Sequence, residues 1–329
     1  MRTKQKHLFY TELAKLLESG FGIRQAAAVM LDSGPPRAQA CLLRGIEQGL
    51  ASGLTITESF GGNAAGVSDL ERNMLGAGER GGRLAAAMQH LADYFGMLAA
   101  VRADAMKRLI YPGFVLHLGI FVAVLPQPLM SSDAAPGSPG IRLLLTLLGV
   151  YGAVFGLVML VRVMLRAAQS RAELDRLLNL IPMVGKARNS LAMARFTKVY
   201  HMGLLAGLSM VETASTAAKA AHSGALDEAG LALVEAARAG QQLGPVMLAM
   251  PVIPKAFARS YATAEQAGTL DKDLERWSGV FQGDAARAAG TLATAMATLL
   301  YAMILGFVAW GIWRFYSNYF DALMHIGGG

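Results

Sequence analysis

Cysteine is almost absent from this chain: Cys41 is the only one in 329 residues. No intramolecular disulfide and no zinc site built on several thiolates can form. Charge is scarce too. Asp, Glu, Lys and Arg make up 16% of the residues, against about 25% in ordinary soluble domains. The six histidines, His7, His90, His117, His201, His222 and His325, are scattered without a ligand spacing such as H-x-x-x-H. Gly185-Lys186 is followed by Ala187 and lacks the upstream glycine of a phosphate-binding loop, and H-E-x-x-H and G-x-S-x-G are missing. The sequence leaves no catalytic residue, cofactor or metal ligand to assign, and the expectation is a protein that is not an enzyme.

What is plentiful is apolar. Hydrophobic residues are 54% of the chain and the mean hydropathy is +0.39. A helix rises 1.5 Å per residue, so about 20 apolar residues cross a bilayer's hydrocarbon. Three runs without formal charge reach that length: 109–129, 143–161 and 291–313. The third ends among Trp310, Trp313, Phe315, Tyr316, Tyr319 and Phe320, rings that favour the headgroup layer. Lys and Arg number 13 before the first run and 15 between Arg162 and Arg287, while Pro126–Gly140 has none. The positive-inside rule then predicts a cytoplasmic N-terminus, with residues 1–108 and 162–290 inside. The loop 130–142 and the tail 314–329 face the periplasm. No apolar core of a signal peptide opens the chain. The net charge of +7 is largely that of membrane flanks, so lipid is an expected partner and nucleic acid is not.

Outside the runs, two polar regions read as helices throughout, rich in Ala, Leu and Met and broken by Gly and Pro. The expected fold class is therefore an all-α membrane protein, two cytoplasmic helical bundles and three transmembrane helices. The bundles repeat one another. A shift of 187 lays Phe9 on Phe196, Leu17 on Leu204, Gly20 on Gly207 and Gly53 on Gly240. After a one-residue deletion, a shift of 186 lays Glu79 on Glu265, Gly82 on Gly268 and Leu84 on Leu270. Such agreement exceeds what Ala-rich helices share by composition.

The matched residues have a plain reading and a functional one. Gly20 and Gly207 follow apolar helices, where a left-handed residue is wanted. Gly78-Glu79-Arg80-Gly81-Gly82 and Ala264-Glu265-Gln266-Ala267-Gly268 let two helices reverse in a short space. Glu79 and Glu265 either cap a helix or pair with Arg80 or Arg83, which outweighs direct partner contact. Pro112 suits a helix's first turn. His117, inside the first run, is a functional candidate by position; a neutral imidazole bonded to a neighbouring helix is the stronger expectation.

These features together resemble the inner-membrane platform proteins of the type II secretion F and type IV pilus family. The resemblance rests on Leu16-Leu-Glu-Ser-Gly20 and Leu204-Leu-Ala-Gly207, on the two late turns through Leu84 and Leu270, and on Tyr111-Pro112. Leu180-Ile-Pro-Met-Val-Gly185 and Ala194-Arg-Phe196 also carry it. It covers nearly the whole chain, with Ala264 departing from the family's glycine. The chain starts almost at its first repeat, which leans toward a short type IVb-like member. The resemblance implies coupling of a hexameric secretion or pilus ATPase to pilin or pseudopilin subunits. It further implies other inner-membrane assembly proteins as partners, and self-association. Glu79, Gly82, Glu265 and Gly268 would shape the late turns. A small membrane transporter and a membrane-bound sensor or scaffold stand as alternatives.

Overall fold

A computed structural model describes residues 1–61, 66–124, 172–179 and 181–327, with scattered positions from 144 to 167. Within 109–124, 172–182 and 297–327 some side chains, Pro112's among them, also lie outside the described residues. All described elements are helices. The first six are α1 (Thr3–Glu18), α2 (Ile23–Asp32), α3 (Arg37–Ala51), α4 (Ile56–Gly61), α5 (Asp69–Arg80) and α6 (Leu84–Val124). After the apolar middle come α7 (Ala172–Asn179), α8 (Pro182–Leu205), α9 (Met210–Ala220) and α10 (Gly224–Arg238). The chain closes with α11 (Leu243–Ala249), α12 (Lys255–Ala267) and α13 (Leu270–Gly327).

Local chemistry sets these limits. Phe9, Tyr10, Leu13 and Ala14 recur at helical spacing and are the buried stripe of α1. Gly20, at φ 87°, ends it, with the Phe21 amide donating to the Leu16 carbonyl at 3.1 Å. Only a residue without Cβ takes that backbone cheaply. Gly207, at φ 77°, ends α8 in the same way, the Leu208 amide donating to the Gly203 carbonyl at 2.9 Å. Capping boxes start two further helices: Ser68 with Glu71 at α5, and Ser209 with Glu212 at α9.

The chain divides into two compact units. Residues Met1–Ala103 and Ala167–Ala288 form the first, and Asp104–Arg166 with Ala289–Gly329 the second. In the first unit one continuous apolar core draws on both stretches. Tyr10 stacks on Phe95 with ring centroids 5.7 Å apart, and Phe257 meets the edges of Trp277 and Phe281 at 5.7 and 5.8 Å. Tyr10 and Phe257 are fully buried, and burying a phenylalanine side chain completely stabilises a fold by about 1.5–3 kcal/mol.

The three apolar runs fall in the second unit. The run 109–129 continues α6 through Val124, and 291–313 lies wholly within α13. The loop 130–142 and much of 143–161 lie outside the described residues. Among the described residues, no helix is long and apolar enough to cross a membrane. Large apolar side chains are nevertheless bare there, Phe114 at 66% exposure and Trp313 at 76% among them. Tyr111 is exposed and lies 6.2 Å from the Tyr301 ring. The expectation for His117 needs correcting. Its Nδ1 lies 2.7 Å from the Gly113 carbonyl of its own helix, one turn back, and its ring faces Tyr151 at 5.7 Å. A local carbonyl one turn away partners Nδ1 of the ring.

Candidate functional site

The late turns and the helix starts they hold are the most specific arrangement in the first unit. Glu79 stands in the last turn of α5 and accepts from the Ile56 amide at 2.7 Å, the Thr57 amide at 3.0 Å and the Thr57 hydroxyl at 2.7 Å. These amides open α4, whose first turn has no carbonyl partners of its own. Glu265, in the last turn of α12, accepts from the Leu243 and Gly244 amides, both at 2.8 Å, at the start of α11. A carboxylate there satisfies orphan donors and meets the positive end of the helix dipole. Burial alone pushes the Glu79 carboxyl up, but the Thr57 hydroxyl and the two amides overcome it and hold its pKa below the ordinary 4.5. Of the two plain alternatives, capping is what the geometry shows. Arg80 instead faces Glu212, at 4.0 Å.

Glycine makes these turns close. Gly82 has φ 63° and Gly268 φ 68°. After each, the next amide reaches back to close the helix end: Arg83 to the Gly78 carbonyl at 2.8 Å, and Thr269 to the Ala264 carbonyl at 2.9 Å. A Cβ on Gly78 would lie 2.5 Å from the Ala87 Cβ, so α5 and α6 touch there at backbone distance. Alanine occupies the corresponding position 264, 5% exposed. Tyr111 belongs to the chain's second unit, and Pro112's side chain is not among those described.

The first unit also brings residues of the two sequence stretches together. Asn73 Nδ2 donates to the Thr216 hydroxyl at 2.9 Å. Beside that bond is a cavity of about 320 Å³ whose walls include Thr57, Arg72, Arg80, Glu212 and Arg238. Among the described residues no three of His, Cys, Asp and Glu converge to hold a metal ion.

Sequence reading missed two buried acids. Glu71 accepts from Lys6 Nζ at 2.5 Å, the Tyr10 hydroxyl at 2.6 Å and the Ser68 hydroxyl at 2.7 Å. Asp175 pairs with Arg188 at 2.6 Å and accepts from the Ser223 hydroxyl and the Ala225 amide. Each ties distant segments by satisfied charge in the interior. The spacing Ser68-x-x-Glu71 signals the cap but not the second job of the acid; nothing local marks Asp175.

Comparison with known proteins agrees with this architecture. The family model for type II secretion system protein F matches the chain twice, over residues 9–125 and 196–316. The type 4 fimbrial assembly protein PilC of Pseudomonas putida is 29% identical over 326 residues, covering 92% of this chain and 80% of that protein. Type II secretion system protein F of Vibrio cholerae is 25% identical, over 91% of this chain and 78% of its own. The type IV pilus assembly protein PilC of Thermus thermophilus is 24% identical, over 94% and 81%. With two matches of one model spanning most of its length, the chain belongs to the type II secretion system protein F family.

Proposed function

We propose that the protein is the inner-membrane platform of a type IV pilus or type II secretion machine. In this reading it receives motion from a cytoplasmic assembly ATPase and passes it to pilin or pseudopilin subunits entering a filament. The carrying observation is the double match to the protein F family over residues 9–125 and 196–316. Internal duplication is part of the reading. The helix starts Ile23, Arg37 and Ile56 recur at Met210, Gly224 and Leu243, 187 residues later, and α6 and α13 start 186 apart. The two glutamate clamps follow the same register.

The membrane reading rests on the sequence runs and on the bare apolar surface of the second unit. The run 291–313 carries no formal charge and lies in one unbroken helix. Helices α6 and α13 each contribute residues to both units, so displacement of the polar bundle can travel along continuous backbone. No covalent chemistry is asked of this chain; the nucleotide is hydrolysed by the partner.

Two experiments test the role. The tagged full-length protein, solubilised in detergent, should retain an assembly ATPase on purification. Deleting the gene should abolish filaments, or secretion, while the pilin or pseudopilin is still made and stable. Normal filaments and normal secretion in the deletion strain would refute the proposal.

A further inference from the structure

A helix crossing joins the two sequence stretches of the first unit, where α5 packs on α9. Asn73 donates to the Thr216 hydroxyl at 2.9 Å, and Arg80 stands 4.0 Å from Glu212. Leu208, just before α9, shares a cavity wall with Thr57 and Gly76. On the α9 side of the crossing Leu208 is 7% exposed and Thr216 4%.

The register that relates the two halves gives each side of this crossing a counterpart. A shift of 187 lays Phe21 on Leu208, Gln25 on Glu212 and Val29 on Thr216, along α2. A shift of 186 lays Asn73 on Arg259, Gly76 on Ala262 and Arg80 on Gln266, along α12. Helix α2 packs against α1 and α3, and α12 against α11. Phe21 is 42% exposed and Val29 45%, and Arg259 and Gln266 are exposed as well. A single bare apolar side chain means nothing by itself. Here both stand where the other half buries its equivalents. That is the condition of an outermost repeat in a stack, in which each repeat covers a face of the next and the end faces stay open.

We propose that a second copy of this chain covers these faces, α12 of one copy packing on α2 of the next as α5 packs on α9 within a chain. The resemblance to platform proteins implies self-association but names no surface; the duplicated crossing supplies one. Phe21 and Val29 then meet Ala262 and the apolar stems of Arg259 and Gln266. The two faces differ, so the contact is heterologous, and its repetition builds a ring or an open chain. The contact follows from the duplication proposed above and is independent of coupling to an ATPase.

The test treats full-length protein in membranes with a short bismaleimide, in a Cys41→Ser background that removes the one native thiol. Gln25→Cys together with Gln266→Cys should give a ladder of crosslinked multimers on a denaturing gel. Either cysteine alone should leave the protomer band, because this heterologous contact does not set one position against itself. Arg80→Cys with Glu212→Cys, the equivalent pair inside the chain, should crosslink without raising the mass. Val29→Lys sets a like charge against Arg259 and should abolish the ladder; adding Arg259→Glu should restore it. Rescue by the charge swap separates a lost contact from a misfolded variant. A dimer from either single cysteine, or a ladder indifferent to Val29→Lys, would overturn the proposal. So would the absence of a ladder while the internal pair reacts, a result that leaves the duplication standing. Failure of the internal pair would overturn the proposal together with the crossing it copies.

Discussion

Glu79 and Glu265 show how much a single carboxylate can do at a turn. Each reaches across a connection to satisfy two amides that open another helix, so each ties two helices together at one point. Replacing Glu79 or Glu265 by Ala should cost about 1–2 kcal/mol, the scale of a lost helix cap, and lower the melting temperature in detergent by a few degrees. The effect of Glu79 has a predictable pH dependence. Its folded pKa is depressed below 4.5, because hydrogen bonds from Thr57 and Ile56 outweigh burial. A carboxyl of that kind adds stability above its unfolded pKa and loses it as pH falls through the folded value. Thermal scans of wild type and Glu79→Gln should therefore differ most at neutral pH and converge below about pH 4.5. A difference that grows on acidification would rule out this account of the clamp.

Elements in the two halves solve one packing problem with different residues. Where α4 crosses α5, Thr57 meets Gly76, its Oγ1 3.5 Å from where a Cβ on that glycine would stand. Where α11 crosses α12, the glycine is on the other helix: a Cβ on Gly244 would lie 2.5 Å from the Ala262 Cα. Each crossing keeps one glycine, so the backbones stay close enough for the glutamate to reach. Gly244→Ala should cost about 1–3 kcal/mol by overpacking. Gly244→Ala with Ala262→Gly should recover part of that loss, a coupling that paired thermal melts would read. If the double variant melts where independent losses place it, the crossings are not equivalent.

Much at this scale was legible in the sequence. The helices ending at Gly20 and Gly207 announce themselves because only glycine takes the left-handed turn. The helix at Arg37–Ala51 runs between Pro36 and Gly53, the breakers on either side of it. The short α4 was not legible: six residues give too little periodicity, and the segment runs into the glycines after Phe60. The late-turn glutamates were recognisable as caps, yet their targets, more than twenty residues earlier, depend on tertiary packing that no local pattern encodes. Glu71 and Asp175 were missed for the same reason, since burial of a charge is decided by what folds over it.

At the scale of the molecule, residues 1–103 and 167–288 gather around one core, whereas the sequence reads as two separate bundles. Ala-rich faces carry little information about which helix they will meet, so the joining of the halves is invisible until the chain is folded. The apolar runs, by contrast, declare themselves through length and lack of charge, and they leave exposed rings such as Trp313 and Phe114. The account's central claim is that those runs anchor the chain in the membrane with both helical halves in the cytoplasm, within reach of an ATPase. Cys41 is the only native thiol, so Cys41→Ser gives a clean background for reporter cysteines. The deciding measurement is labelling of intact cells with a membrane-impermeant maleimide after Ser138→Cys or Ser52→Cys is introduced singly. The account predicts that Ser138→Cys labels once the outer membrane is breached, while Ser52→Cys labels only after the inner membrane is opened. Labelling of Ser52→Cys from the periplasm, with Ser138→Cys protected until lysis, would contradict it.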